Sequence, residues 1–296
     1  MTRGALALAL FALGAAQNPA SVPLIVGGER THVVERGETW TSIGARAGVA
    51  PATLARQNGR SAGARLKAGE SITIDNRHIV PDAAGVSLVI NVPQRLLFHV
   101  VDGSLRARYP IAVGLSNWQT PLGPFTIIEK EEDPTWDVPE SIQEEMRLEG
   151  KPVLTAVPPG PDNPLGRHWI RLSFSGVGLH GTNVPSSIYR VTTHGCMRMH
   201  PDDIADLFAH AELGDSGRIL YEPVLGAMMP DGRVFLEVHP DAYRRVPNMR
   251  DLALDVLRRA GAEGLADPDR VRAAVKGREG IAVDVSPGAT RASLSR

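Results

Sequence analysis

Residues 193–200 read "THGCMRMH", and they contain the only cysteine of the 296-residue chain. Two histidines, a glycine and an arginine lie within four positions of that thiol: His194, Gly195, Arg198 and His200. A thiol is a nucleophile only as its thiolate, so a catalytic cysteine needs neighbours that take its proton or stabilise its charge. An inert buried cysteine is the alternative. The polar surroundings favour a catalytic thiol.

The N-terminus predicts export. Arg3 is followed by the apolar run "GALALALFALGAA", which has the length of a signal-peptide core and ends in small residues. We therefore interpret residues 1–16 as a signal peptide, with a buried N-terminal helix as the alternative. The run is too short to span a bilayer, and no later segment predicts a transmembrane helix. A lone cysteine in an exported chain has no partner for an internal disulfide, which again favours a reactive thiol.

Composition excludes some partners. The formal net charge is -1 and hydrophobic residues make up 43% of the chain. A nucleic-acid-binding protein or a polybasic membrane anchor would show a basic surplus, so neither is expected. The length predicts two domains or three small ones.

Residues 31–75 carry the pattern strand, helix, helix, strand. Trp40, Ile43 and Ala47 recur at helical spacing, and Pro51 suits the first turn of a second helix that ends at Asn58. The segment resembles a LysM module, a small α+β domain that binds the N-acetylglucosamine backbone of peptidoglycan or chitin. The matching residues include His32, Val34, Gly37, Leu54, Asn58, Gly69 and Ile72. A generic small α+β domain is the alternative.

Four further segments follow along the chain. Residues 76–85, rich in Pro and Gly, predict a linker. Residues 86–223 are strand-rich and predict a mainly β domain, interrupted at 131–167 by a long segment with one short helix, which we expect to be a cover or binding loop. Residues 230–286 predict a small α/β accessory region, and residues 287–296 a disordered tail.

The strand-rich segment carries a specific signature. "HGT" at 180–182, "TTHGCMRMH" at 192–200 and "TPLGPFTI" at 120–127 resemble the L,D-transpeptidase catalytic domain of the YkuD fold. "PPGPDNPLG" at 158–166 and "VHPD" at 238–241 resemble its ErfK/YbiS/YcfS branch, whose members combine a LysM module with this domain. The resemblance implies a β-sandwich fold. It also implies an enzyme that transfers the acyl group of a peptidoglycan tetrapeptide stem from D-alanine to an amine.

The resemblance also implies roles for individual residues. Cys196 corresponds to the nucleophile and His180 to its general base, with the Gly181 carbonyl orienting the imidazole. Thr193, His194, Gly195 and Arg198 fill the positions around the thiol, and the amides at Gly195 are candidates for an oxyanion hole. The spacing of Met197 and Met199 indicates core residues, and His200 before Pro201 indicates a helix entry.

The implied partners are stem peptides and glycan strands, with cross-linking or the anchoring of an outer-membrane protein or lipoprotein as the outcome, in the periplasm. No cofactor and no metal are implied. Two other functions remain open at this point. One is a non-catalytic wall-binding protein. The other is a zinc peptidoglycan hydrolase that uses His168, His180, His194 and Cys196, although these residues lack a zinc-ligand spacing such as H-x-x-x-H.

Overall fold

The structure is a computed structural model that describes residues 24–289. The predicted signal peptide and residues 290–296 of the predicted tail lie outside the described residues. None of the helices within 24–289 is long and apolar enough to cross a membrane.

The N-terminal module has the α+β architecture that the sequence predicts. Two strands pair in antiparallel fashion, with Thr31 opposite Thr73, and the two helices pack on them around Trp40, Ile43 and Leu54. Thr39 and Ser42 form a capping box at the start of the first helix, whereas Ala50 starts the second without a side-chain cap. The elements are β1 (Ile25–Val26), β2 (Glu29–Val33), α1 (Trp40–Ala47), α2 (Pro51–Gln57), β3 (Ser71–Asp75) and β4 (His78–Ile79).

The segment 76–85 differs from the expected linker. Its strand β4 pairs with β1, and His78, Ile79 and Val80 are buried. Both ring nitrogens of His78 face acceptors: Nδ1 lies 2.8 Å from Glu237 Oε1 and Nε2 lies 2.9 Å from Gly48 O. The His78 ring is thus held between a buried carboxylate and a backbone carbonyl. Local composition could not reveal this contact, because its partners lie far away in sequence.

The middle of the chain forms a closed β domain. Its elements are β5 (Leu88–Asn91), β6 (Leu96–Val101), β7 (Ser104–Gly114), β8 (Gly123–Glu132), β9 (Trp136–Asp137), α3 (Glu140–Leu148), β10 (Ala156–Val157), β11 (His168–Leu172), β12 (Gly178–His180), β13 (Val191–Thr193), β14 (Met197–Met199), α4 (Pro201–His210) and β15 (Ser216–Leu220), with a 3₁₀ turn at Pro185–Ser187. Nine strands form one sheet in the order β13-β7-β14-β12-β11-β8-β15-β5-β6, and the pairing of β6 with β7 closes this sheet into a barrel.

Local sequence accounts for several of these elements. Asp102 and Gly103 both have positive φ, 50° and 72°, and form the two-residue turn between β6 and β7. The interior is filled by Ile90, Leu97, Ile111, Ile170 and other apolar side chains of alternate strand positions. Ile204 and Leu207 anchor α4 on this core. The mainly β fold class is thereby confirmed.

The C-terminal region is a small α/β unit, as the sequence predicts. Its three-stranded antiparallel sheet is covered by two helices, with Leu236, Ala253 and Leu257 in the core. The elements are β16 (Val224–Met228), β17 (Val234–Val238), α5 (Met249–Arg259), α6 (Pro268–Gly277) and β18 (Ala282–Asp284). The side chains of Asn248 and Asp267 cap α5 and α6.

The N-terminal module is docked on both other units. Arg46 on α1 pairs with Asp203 on α4 at 3.2 Å. Thr53 on α2 donates to the carbonyl of Glu279 at 2.9 Å, and Ile281 joins the module's core. The contact of His78 with both Gly48 and Glu237 lies at the centre of this junction.

Candidate active site

The stretch around Cys196 is a tight turn between two strands. Thr193 ends β13 and Met197 begins β14, so residues 194–196 make the connection. Gly195 has φ +111°, a conformation that side-chain-bearing residues rarely adopt. The glycine therefore permits the turn that presents the thiol.

Thr193 holds this turn from inside. Its buried hydroxyl donates to the carbonyl of Cys196 and accepts from the amide of Gly195 at 3.3 Å. The Gly195 amide is thus engaged within the turn, which differs from the expectation that it points at the substrate.

The Cys196 thiol is partly exposed at the surface. Its Sγ donates to the carbonyl of Gly176 at 3.4 Å. Burial raises the pKa of the Cys196 thiol above its ordinary value of 9.0, while the Gly178 backbone and the Arg198 charge act in the opposite direction. The resting thiol is therefore protonated at neutral pH, and its activation requires a base.

His180 has the geometry of a neutral base. It ends β12, and its Nδ1–H donates to the carbonyl of Gly181 at 2.7 Å. This contact fixes the tautomer, because a carbonyl can only accept, and leaves Nε2 as the proton acceptor. Burial, with the charge of Arg198 as a second cause, lowers the pKa of His180 to about 3. The ring therefore stays uncharged throughout the physiological range.

The fold brings these two residues to neighbouring strands. β12 and β14 are parallel neighbours, with Leu179 opposite Met197 and His180 opposite Arg198. Cys196 directly precedes β14 and therefore lies near the strand that ends in His180. Within residues 24–289 no direct hydrogen bond joins the His180 ring to the thiol, which faces Gly176 instead. Catalytic hydrogen bonds are often long or poorly aligned in a structure without substrate.

The other residues of the signature occupy distinct places. Met197 and Met199 are fully buried in the domain core, and the His200 side chain caps α4 by accepting from Asp202 N–H. Arg198 is half-buried beside His180 and Cys196. The interpretation of both methionines as core and of His200 as a helix entry agrees with this geometry.

His194 is tied away from the thiol. Its Nε2 lies 2.9 Å from Glu145 Oε2 on α3, and its ring lies 5.3 Å from that of Trp118. The segment 131–167 therefore reaches residues 194–196 (the catalytic turn) through Glu145. Neither Glu145 nor Trp118 was apparent from the sequence, since no local pattern links them to His194.

The residues considered for a zinc site are not brought together. The His168 ring packs on Phe208 at 4.8 Å, and His180 and His194 have the separate partners described above. Within the described part of the chain, the one group of three side chains with metal-ligating atoms close together is His78, Glu237 and His239. That group belongs to the domain junction.

Comparison with known proteins identifies the family. The family model described as the L,D-transpeptidase catalytic domain matches residues 85–224, and the LysM domain model matches residues 32–75. The Escherichia coli protein named "Probable L,D-transpeptidase ErfK/SrfK" is 32% identical over 75% of this chain and 74% of its own length. "Probable L,D-transpeptidase YcfS" of the same organism is 30% identical over 88% of this chain and 85% of its own.

The chain belongs to the L,D-transpeptidase family. Among solved structures, an L,D-transpeptidase from Mycobacterium smegmatis matches with a TM-score of 0.34 and 23% identity over 51% of this chain and 63% of that chain. By its family models and its relatives in sequence, the protein is a peptidoglycan L,D-transpeptidase with an N-terminal LysM domain, and its enzyme class is acyltransferase.

Proposed function

We propose that this L,D-transpeptidase acts through a thioester on Cys196, with His180 as the general base. The observation that carries the proposal is the hydrogen bond from His180 Nδ1–H to the Gly181 carbonyl. It holds a neutral imidazole beside the strand that follows Cys196 and leaves Nε2 free to accept the thiol proton.

The first half-reaction releases D-alanine. The Cys196 proton passes to His180 Nε2 as sulfur attacks the carbonyl carbon of the third stem residue. The tetrahedral intermediate then breaks its bond to D-alanine, whose nitrogen takes the proton from His180. An enzyme thioester and free D-alanine result, and atoms and charges balance.

The second half-reaction reverses these roles. An acceptor amine attacks the thioester, His180 Nε2 takes a proton from the attacking nitrogen, and the departing sulfur recovers it. For the oxyanion we propose the Cys196 N–H as donor, because the Gly195 amide is engaged by Thr193. Arg198, which stays charged, adds a positive potential beside the sulfur.

The proposed acceptor is a protein lysine at the outer membrane, supported by the resemblance to the ErfK/YbiS/YcfS branch, and a second stem amine is the alternative. We also propose that the protein is exported, that residues 1–16 are removed, and that the enzyme acts in the periplasm. Muropeptides from a deletion strain distinguish the acceptors, since stem-to-stem dimers and protein-linked stems are separable. The N-terminal mass of the secreted protein tests the export proposal, which an intact Met1 would contradict.

Purified protein tests the chemistry directly. A carbapenem such as imipenem should add its mass once to the wild-type protein, and a tetrapeptide donor should release D-alanine. Cys196→Ala should show neither signal while keeping the wild-type circular dichroism spectrum. Adduct formation on the Cys196→Ala variant would overturn the proposal.

A further inference from the structure

A buried tyrosine and an exposed arginine of the C-terminal region contact the loop beside the catalytic turn, the arginine being Arg245, which donates to Gln119 Oε1 at 2.6 Å. Tyr243, 6% exposed, donates its hydroxyl hydrogen to the carbonyl of Gly114 at 2.9 Å. The same oxygen accepts the amide of Thr120 at 3.1 Å. One hydroxyl thus connects both ends of the loop 114–120, which leaves β7 next to β13.

Thr120 carries this connection to the turn. Its fully buried hydroxyl donates to the carbonyl of Gly195 at 2.9 Å and accepts the amide of Gly114 at 2.9 Å. The loop is tightly folded, since a Cβ on Gly114 would lie 2.1 Å from the Trp118 carbonyl oxygen. The position of Thr120 is therefore held by its own loop and by the hydroxyl of Tyr243.

The Gly195 carbonyl determines where the next amide points. The carbonyl of Gly195 and the N–H of Cys196 belong to the same planar trans peptide, so they point in opposite directions. A hydrogen bond that holds the oxygen on Thr120 also directs the Cys196 N–H away from Thr120. The Thr193 contact with the Cys196 carbonyl fixes the following peptide in the same way.

Tyr243 is itself held in place from the C-terminal side. Its ring stacks on Tyr221 with centroids 5.2 Å apart, and its amide donates to the Tyr221 hydroxyl at 2.7 Å. Asp241 accepts from that hydroxyl and from the amides of Arg245 and Val246. The segment 238–246 is thus a rigid support, in a region for which the sequence indicated no catalytic role.

We propose that Tyr243 is a positioning residue for acyl transfer, acting through Thr120 on the Gly195–Cys196 peptide so that the Cys196 N–H faces the oxyanion. The inference rests on the proposed function, in which that amide stabilises the tetrahedral intermediate. It assigns the C-terminal region a part in catalysis: without its tyrosine, the peptide that carries the oxyanion donor loses its fixed direction.

Two reactions of the same thiol test the proposal. Acylation by imipenem passes through an oxyanion, whereas alkylation by iodoacetamide does not. Loss of an oxyanion donor typically lowers rates by about 10²–10³, and misdirecting one should lower them by about tenfold or more. Tyr243→Phe and Thr120→Val should therefore slow acylation about tenfold, with the alkylation rate unchanged. Thr120→Ser, which keeps the hydroxyl, should restore acylation.

Tyr109→Phe is the matched control. Tyr109 is 4% exposed, and its hydroxyl donates to Asp206 on α4; within residues 24–289 it forms no hydrogen bond with residues 193–196. This variant should keep both rates. Equal slowing of acylation and alkylation in Tyr243→Phe would indicate a general structural effect and overturn the proposal, as would unchanged acylation. A wild-type protein that imipenem does not acylate would instead refute the proposed function.

Discussion

His180 and His194 flank the thiol but have different surroundings. His180 is buried, with its Nδ1–H on the Gly181 carbonyl, whereas His194 is partly exposed and bound to Glu145. Because the pKa of His180 is lowered to about 3 and that of the thiol is raised, proton transfer from sulfur is unfavourable at rest. The thiol therefore depends on a base near neutral pH and less so as it ionises.

We predict opposite pH behaviour for the two alanine variants. His180→Ala should lower the imipenem acylation rate by a factor of about 10²–10⁴ at neutral pH, because general-base catalysis typically contributes a factor of that size. The loss should shrink between pH 6 and pH 10, because the ionised fraction of the thiol rises with pH. His194→Ala should lose less, with no such rescue. Mass spectrometry across this pH range measures both rates, and a larger, pH-rescued loss in His194→Ala would reverse the assignment.

The sequence could predict the residues that carry the signature but not their supports. Cys196, His180 and Gly181 lie in two short motifs, and the contact of His180 with Gly181 is local. Thr120 stood within a recognised motif and Tyr243 beside another, yet neither motif says that they meet Gly195 and Gly114. Such partners become visible only when the chain folds, because their contacts span 75 and 129 positions.

At the scale of elements, α3 is unusual because none of its residues is buried. The helix spans Glu140–Leu148, between Pro139 and Gly150. With no fully buried side chain, α3 depends in part on polar contacts, and within residues 24–289 the pair of Glu145 with His194 joins it to the catalytic turn. We propose that this contact holds the segment 131–167 over the site and limits access of water to the thioester.

Glu145→Gln should therefore favour hydrolysis. An exposed side-chain contact of this kind is worth at most about 0.2–1 kcal/mol, so the ratio of hydrolysed to transferred stem should rise by at most about fivefold. Glu144→Gln is the matched control, because Glu144 lies on the same helix but pairs with Arg147. Product analysis with a tetrapeptide donor and an excess of amine measures the ratio. Equal ratios in the two variants would contradict a covering role for this contact.

At the scale of the whole molecule, one buried carboxylate connects three units. Glu237 of β17 accepts hydrogen bonds from His78, His239, Gln94 and the amide of Ile79. Burial alone would raise the pKa of Glu237, but its electrostatic contacts and hydrogen bonds with His78 and His239 outweigh that effect and lower the pKa. Removing one partner of a buried ion pair typically costs about 3–5 kcal/mol.

Glu237→Gln should thus lower the free energy of unfolding by about 3–5 kcal/mol, because the buried rings of His78 and His239 lose the carboxylate that they contact. Glu263→Gln, an exposed glutamate of the same region that pairs with Arg258, should change it by less than about 0.5 kcal/mol. Urea unfolding followed by circular dichroism measures both. A Glu237→Gln protein as stable as wild type would show that the junction does not depend on this charge.

Acid should weaken the wild-type protein. Burial lowers the pKa of His239 below its ordinary value of 6.5, so below that pH the unfolded chain binds a proton that the folded chain does not. Glu237 stabilises the fold above its ordinary value of 4.5, and this contribution is lost as the pH falls toward its lower folded pKa. The melting temperature should therefore decrease from about pH 7 to pH 5 and further below. A constant melting temperature over that range would contradict this predicted loss of stability in acid.

The position of β15 in the sheet bears on how the protein reaches its folded state. This strand lies between β8 and β5, pairing with both, although it comes last of the strands in the barrel. Until residue 220 is available, the barrel stays open along one seam, and pairings between distant segments form slowly. We expect the catalytic domain to fold only after its whole length has been synthesised. A chain that must pass through a secretion channel while still extended would gain time from this late closure.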